Sequence, residues 1–166
     1  MLRTCSRALL LCALALSCTA CALSSAPPAA PPAPAPNASS SPLPIVEMHW
    51  NDQIVRVQLE DTPAAKAFLA QLPAALPFED FHGTEKIAYL KQKLPSDALQ
   101  KSPGAIAKAG AVTYYIPWGN LAIFYRDYKS EPDSALAPIG QIVPEDMDKL
   151  TALPENQTVE LRPVSP

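Results

Sequence analysis

Hydrophobic and polar residues alternate with the two-residue period of β-strands through much of the chain after residue 44. Between residues 45 and 59, two alternating runs flank the polar pair Asn51-Asp52, a pattern that predicts a β-hairpin. Further strands are predicted at residues 76–81, 87–90, 112–116, 121–125, 139–143 and 158–161. Eight short strands in one segment favour a mainly β fold, closed or nearly closed into a barrel.

Two short helices are predicted between these strands. Asp61-Thr62-Pro63 offers an N-cap with proline at the first helical position, and an apolar stripe follows it until Pro73. The second helix is predicted at residues 145–153, with acidic residues in its first turn. Residues 91–105 and 127–137 are predicted to be surface loops, and residues 117–120 a turn between the two strongest strands.

Residues 1–21 have the order of a secretion signal. Arg3 and Arg7 precede an apolar run at residues 8–16, which is too short to favour a membrane-spanning helix. All four cysteines of the protein lie in this segment: Cys5, Cys12, Cys18 and Cys21. The sequence therefore predicts export, and a domain that folds without a disulfide bond.

The signal resembles that of bacterial lipoproteins, in which a cysteine at the cleavage boundary receives lipid and becomes the mature N-terminus. Cys21 follows Thr19 and Ala20 and is the preferred lipidation site, with Cys18 as the alternative. Cleavage near Ala22 without lipid and an uncleaved anchor are the other interpretations. No aspartate follows either cysteine, so nothing resembles the signal for inner-membrane retention. The resemblance implies a lipid-anchored protein of the bacterial cell envelope, with the outer membrane favoured.

Residues 22–44 are predicted to be a linker. They contain eight prolines, many alanines and serines, and no charged residue. Such a composition favours extended polyproline II, with a rise of about 3 Å per residue. The segment would hold the folded region, residues 45–162, away from the membrane.

Charge and residue types exclude several functions for the mature chain. Loss of Arg3 and Arg7 leaves 11 basic against 16 acidic residues, a net charge of about −5, which disfavours nucleic-acid binding. His49 and His82 are the only histidines, and no cysteine accompanies them, so no metal site is predicted. Neither a phosphate-binding glycine loop nor a Gly-x-Ser-x-Gly motif occurs, and no cofactor is predicted.

Two stretches resemble the small bacterial cyclophilin-like fold proteins. The hairpin formed by residues 110–115 and 120–125 is similar to their central hairpin. Ala137-Pro138-Ile139-Gly140-Gln141-Ile142, with the helix that follows, is similar to their signature near the C-terminus. The resemblance covers residues 45–162 and implies a closed eight-stranded barrel with two short helices.

Catalysis by this barrel is not the favoured prediction. Authentic cyclophilins place an arginine soon after a Phe-His pair, and then a Phe-x-x-Gln-x-Gly element. Here Gly83 follows Phe81-His82, and the second element is missing from the sequence. Arg126 is the best-placed substitute for the arginine that prolyl isomerisation requires. A non-catalytic module that binds a peptide, a protein or a small molecule is therefore the first hypothesis. A divergent prolyl isomerase is the alternative, and an accessory domain for a redox partner is a third.

Candidate binding residues come from two parts of the barrel sequence. Aromatic residues concentrate at residues 114–128, and Trp118 falls at a turn, where a side chain can contact a ligand. Structural packing is the favoured interpretation of Trp118, and ligand contact is the alternative. Glu85, Lys86 and Tyr89 form a second candidate patch on the barrel rim. The full candidate set is Glu85, Lys86, Tyr89, Tyr115, Trp118, Tyr125 and Arg126. Alternation leaves two inward sets open at this hairpin: Phe124 with Ala122, or Tyr125 with Ile123.

Overall fold

The computed structural model describes residues 42–164. The predicted signal segment, both candidate lipidation sites (Cys18 and Cys21) and most of the predicted linker lie outside the described residues.

The described chain forms ten strands and three short α-helices. In chain order, the strands are β1 (Ile45–Trp50), β2 (Gln53–Leu59), β3 (Ala74–Phe81), β4 (Glu85–Tyr89), β5 (Ala105–Ile106), β6 (Ala111–Tyr115), β7 (Asn120–Phe124), β8 (Pro132–Asp133), β9 (Leu136–Ile142) and β10 (Gln157–Val164). The helices are α1 (Pro63–Leu69), α2 (Ser96–Leu99) and α3 (Met147–Thr151), and a 3-10 turn at Pro144–Asp146 leads into α3.

Eight strands close into an antiparallel barrel with the order β1-β10-β3-β4-β7-β6-β9-β2. The predicted eight-stranded barrel is confirmed. The two remaining strands, β5 and β8, pair with each other in a separate two-stranded sheet. Helix α2 and β8 lie in segments predicted to be loops, and β5 lies at the end of one of them, so the described residues contain one α-helix more than the two predicted.

Alternation along the strands separates the core from the outside of the barrel. On β1, Val46 and Met48 are fully buried, whereas the alternating residues Glu47 and His49 are only partly buried. The first hairpin pairs Trp50 with Gln53 around the predicted Asn51-Asp52 turn. Burial of an apolar side chain such as Val46 or Met48 stabilises the fold by about 1.5–3 kcal/mol relative to the exposed side chain.

The helices add side chains to the same core. Thr62 is the N-cap of α1, as predicted, and its hydroxyl accepts a hydrogen bond from the Ala65 amide at 3.0 Å. The helix ends at Leu69, earlier than the predicted stripe that reaches Leu72, and it buries Phe68. Helix α3 buries Leu150, so both helices are held by apolar contacts with the barrel core.

A second, smaller apolar cluster lies on the other side of β4, β6 and β7. It contains Ile87, Ala107, Ala111, Ala122, Phe124 and Leu136. On β7, Leu121 and Ile123 belong to the main core, whereas Ala122 and Phe124 belong to this outer cluster. Tyr125 also packs against the main core. The structure thus selects Ile123 with Tyr125 as the inward set, and it leaves Phe124 free to form an outer surface.

Candidate functional site

A cleft of about 620 Å³ opens over the outer cluster, on the outward faces of β4 and β7. We call it the outer cleft, and its lining residues are Phe81, His82, Thr84, Glu85, Ile87, Tyr115, Trp118, Asn120, Ala122, Phe124, Tyr128, Lys129, Asp133 and Leu136. Its volume falls in the range of small-molecule sites, about 300–1,000 Å³. Residues from β3, β4, β6, β7 and the segment around β8 meet here, so the cleft depends on the closed barrel.

Trp118 joins two walls of the outer cleft. Its ring packs edge-to-face against Phe81 and against Tyr115, each with ring centroids 5.5 Å apart. The turn at residues 116–119 presents this side chain, and Gly119 supplies the positive φ of +80° that the turn needs. Trp118 nevertheless remains 47% exposed, which leaves an apolar surface available to a ligand.

The turn between β3 and β4 forms the other end of the aromatic wall. His82 and Gly83 both have positive φ, +54° and +64°. The Asp80 carboxylate stabilises this turn by accepting a hydrogen bond from the Gly83 amide at 2.8 Å. The His82 ring lies edge-to-face on Phe81, with centroids 4.3 Å apart, and lines the cleft.

Glu85 places a carboxyl group in this mostly apolar lining. It starts β4, and its register partners are Phe81 on β3 and Phe124 on β7. Burial raises the pKa of Glu85 to about 7. Among residues 42–164, no hydrogen-bond donor or cation contacts the Glu85 carboxyl group, which explains why burial alone sets the shift.

Asn120 adds a second polar group with an unused acceptor. Its side chain is 1% exposed and lines the cleft from the start of β7. The side-chain Nδ2 donates to the Leu121 carbonyl oxygen at 2.9 Å, which fixes the orientation of the amide group. The buried Oδ1 then has no hydrogen-bond partner within the described part of the chain. An unpaired buried acceptor costs about 1–3 kcal/mol, so a ligand or water donor would be stabilising here.

An ion pair closes one side of the cleft. Lys129 Nζ lies 2.6 Å from Asp133 Oδ2, and a hydrogen bond from Lys129 lowers the pKa of Asp133. The Asp133 carboxylate also accepts from the Ala135 amide at 2.9 Å. The charge of Lys129 is therefore compensated locally and is not directed at Glu85.

Lys86 belongs to a different cluster, because neighbouring residues of a strand point to opposite faces. Its side chain is 6% exposed, and Nζ lies 2.8 Å from the Leu153 carbonyl oxygen and 3.0 Å from the Asp80 carboxylate. The Tyr125 hydroxyl donates to the same carboxylate at 2.6 Å. Burial alone would raise the pKa of Asp80, but hydrogen bonds from Tyr125, Lys86 and Gly83 outweigh burial and lower it. Burial and the bond to Asp80 raise the pKa of Tyr125 to about 12.

The sequence and the fold both compare with known proteins. The model of the cyclophilin-like family matches residues 48–162. The chain belongs to the cyclophilin-like family. A hypothetical protein from Archaeoglobus fulgidus, whose structure was determined in solution, is similar in fold, with a TM-score of 0.51 and 16% sequence identity over 75% of this chain and 98% of that chain. No curated protein matches this sequence.

The cyclophilin-like barrel separates the seven candidate residues of the sequence. Glu85, Tyr115 and Trp118 come together in the outer cleft. The predicted rim patch of Glu85, Lys86 and Tyr89 is wrong as a single surface: Lys86 is buried with Asp80, and Tyr89 is 52% exposed outside the cleft lining.

The two remaining candidates lie together, away from the cleft lining. Tyr125 belongs to the Asp80 cluster, and the Arg126 guanidinium lies 5.6 Å from the centroid of its ring. No arginine lines the outer cleft within residues 42–164. The arginine of authentic cyclophilins therefore has no counterpart among the described cleft residues.

Most of the cleft residues were not predicted from the sequence. His82 and Asn120 both line the cleft, but neither is among the candidate residues of the sequence. In the sequence, the feature that could have indicated these two residues is their place at a hairpin turn, His82-Gly83 in one case and Gly119-Asn120 in the other. Which strands lie next to these turns depends on barrel closure.

Residues 42–164 were compared with the geometry of metal sites and of membrane-spanning helices. Within residues 42–164, no three His, Cys, Asp or Glu side chains gather closely enough to hold a metal ion. In the same part of the chain, no helix has both the length and the apolar composition needed to cross a bilayer.

Proposed function

We propose that this cyclophilin-like barrel is a non-catalytic binding module whose outer cleft holds a peptide or a small molecule. The observation that carries the proposal is the apolar cleft of about 620 Å³ walled by Phe81, Tyr115 and Trp118. Apolar sites of this size with a few placed polar groups are the usual form of ligand pockets. Glu85 and Asn120 are the polar groups that would orient the ligand.

A divergent prolyl isomerase is less well supported than a binding module. The isomerase reaction faces a barrier of about 20 kcal/mol and is helped by a donor near the proline nitrogen. Arg126, the expected substitute donor, lies against Tyr125 rather than in the cleft lining. Catalysed cis/trans exchange of an Ala-Pro peptide that is lost in Arg126→Ala would favour the isomerase over our proposal.

We also propose that a lipid on Cys21, or on Cys18, anchors the barrel in the cell envelope. The support is the order of residues 1–21 and the proline-rich spacer at residues 22–44. In this arrangement the membrane is the first partner of the protein, and the cleft is presented to ligands some distance from its surface.

Replacing Trp118 tests the cleft directly. A fragment library that includes short peptides is screened by NMR against the full chain and against Trp118→Ala. The matched control is Tyr89→Ala, which removes an aromatic side chain of similar exposure from outside the cleft lining.

Ligands that use the outer cleft should shift signals of Trp118 and Phe124, lose at least about tenfold in affinity in Trp118→Ala, and keep their affinity in Tyr89→Ala. Binding that survives Trp118→Ala, or that maps to another face of the barrel, would refute the cleft as the binding site.

A further inference from the structure

Two polar side chains that line the outer cleft, Glu85 and Asn120, are acceptors without a donor among residues 42–164. Glu85 presents a carboxyl group, and Asn120 presents an amide oxygen whose nitrogen is already committed to the Leu121 carbonyl. Buried acceptors are rarely left without a partner, so the missing donors must come from water or from a ligand. A ligand rich in N–H groups fits these two acceptors better than an anion or a ligand rich in carbonyl groups.

The walls of the cleft favour a positive charge on that ligand. Phe81, Tyr115, Trp118, Phe124 and Tyr128 all line it. Aromatic rings attract cations through the negative charge of their faces, and the interaction strengthens when the site is shielded from water. An aromatic wall with a carboxyl group at its base is the combination that holds alkylammonium ions. We propose that the outer cleft binds an organic ammonium ion, with its N–H groups donated to Glu85 and its carbon skeleton packed against Trp118.

Neighbouring cations do not already fill this role. Lys86 follows Glu85 in sequence but is directed to the other face of β4, where Asp80 pairs with it at 3.0 Å. Lys129 lines the cleft, yet it pairs with Asp133 at 2.6 Å. The Glu85 carboxyl group is thus the cleft charge that lacks a partner among residues 42–164, and an incoming ammonium ion would supply one.

The register of the strands sets how far the two acceptors stand apart. Glu85 pairs with Phe124 at the end of β7, and Asn120 is the first residue of the same strand. Four residues along a strand correspond to about 13 Å between backbone positions. Ile87 and Ala122 lie between these positions as an apolar strip. An ammonium ion at Glu85 would therefore extend its apolar part along this strip towards Asn120.

The state of Glu85 makes this binding depend on pH. Because burial raises the pKa of Glu85 to about 7, the cleft carries its negative charge only above neutrality, and a bound cation would favour the charged form. Other titratable groups that line the cleft are His82 after β3, Tyr115 on β6, Tyr128 and Lys129 after β7, and Asp133 on β8. Of these, His82 carries an imidazole, the side-chain type that needs its own control in a pH experiment.

A matched pair of probes tests the ammonium preference. Phenethylamine is a cation at about pH 8, and 2-phenylethanol is its neutral counterpart with the same ring and chain length. Both are titrated into the full chain, into Glu85→Gln, and into His82→Gln as the control for the second titratable group. The signals followed are the Trp118 indole and the methyl groups of Ile87 and Ala122.

We expect phenethylamine to bind at least about tenfold more tightly than 2-phenylethanol at pH 8, and this ratio to fall towards one at about pH 5.5. In Glu85→Gln the ratio should be near one at both pH values, because the variant has no carboxylate to favour the cation. In His82→Gln the preference should persist.

The inference rests on the proposed function, but the two fail differently. Equal binding of both probes, or a preference that survives Glu85→Gln, would overturn the ammonium assignment and leave the outer cleft as a binding site. Failure of both probes to shift cleft signals would also overturn it, whereas the binding proposal itself is decided by the Trp118→Ala screen.

Discussion

Glu85 shows, among single residues, how one carboxyl group makes stability depend on pH. Burial raises its pKa to about 7 from an ordinary value near 4.5. Between these two values, the native state holds a proton that the unfolded chain releases. The free energy of unfolding that depends on Glu85 is therefore highest below about pH 4.5, and it falls as the pH rises towards 7.

Glu85→Gln should remove this dependence, because glutamine keeps the shape of the side chain without a charge. We expect the variant to be more stable than wild type by about 1–2 kcal/mol at pH 8, an estimate reduced for partial exposure, and nearly equal to it at pH 4. Urea unfolding at the two pH values measures the difference. Glu79→Gln is the control, since Glu79 is an exposed carboxylate on the neighbouring strand. Equal stabilisation at both pH values would contradict burial of the charge as the cause.

Sequence alternation explains part of what happens at these residues. It correctly implies that Glu85 and Lys86 point to opposite faces, which argues against reading them as one patch. It does not reveal that Lys86 contacts Asp80, or that Tyr125 donates to the same carboxylate, because Asp80 and Tyr125 come from other parts of the chain. A buried lysine in a short strand looks the same in sequence as an exposed one.

Strand β9 is the element most tightly constrained by its neighbours. Its pairing with β6 shifts between Val112 and Thr113, where Ile139 is the extra residue of a bulge. Gly140 follows this bulge and faces β2 so closely that a Cβ would overlap the Gln58 carbonyl oxygen and lie 3.0 Å from Leu59 Cα. Only glycine fits at this position of β9 without moving the backbone of β2.

Gly140→Ala should therefore destabilise the barrel by about 3 kcal/mol, because the clash involves backbone atoms that cannot turn away. Gly83→Ala is the matched control. Gly83 has a φ of +64°, but no neighbour lies closer to a Cβ there than the Tyr125 hydroxyl at 4.0 Å. It should cost only about 1 kcal/mol, from the backbone conformation alone. Thermal or urea unfolding of both variants measures the difference, and equal losses would contradict the steric explanation.

Most elements of the barrel were predictable, but their ends and the small additions were not. Alternation located the eight barrel strands, and the Thr62-Pro63 pair located the start of α1. Strand β9 begins at Leu136 rather than 139, because pairing with β6 extends it through Ala137 and Pro138. The pairing of β5 with β8 joins two strands of two residues each that are distant in sequence, and no local pattern indicates it.

The whole molecule combines a confirmed barrel with a predicted anchor. If residues 22–44 are extended, 23 residues at about 3 Å each give a reach of about 70 Å. This length would place the outer cleft well clear of a membrane surface. Such a spacer suits a domain that binds ligands in the surrounding compartment.

Replacing both cysteines tests the anchor. We expect Cys18→Ser with Cys21→Ser to move the protein from the membrane fraction to the soluble fraction, because a serine hydroxyl does not accept the lipid in place of the thiol. The single variants identify the lipidation site, because only the variant at the lipidated cysteine should move the protein to the soluble fraction. Unfolding of the released protein should match wild type, since neither cysteine belongs to the described barrel. Identical fractionation of the double variant and wild type would refute the lipid anchor.

The sequence by itself determined the fold class, the eight strands and the start of the first helix, and its export signal stays a prediction. These features depend on local periodicity and on residue types that act within a few positions of one another. Tertiary structure decided which face of β7 is inward, because Leu121 and Ile123 compete with Ala122 and Phe124 as equally apolar sets. It also created the outer cleft, since Trp118, Glu85 and Asn120 meet only after strands far apart in sequence close the barrel.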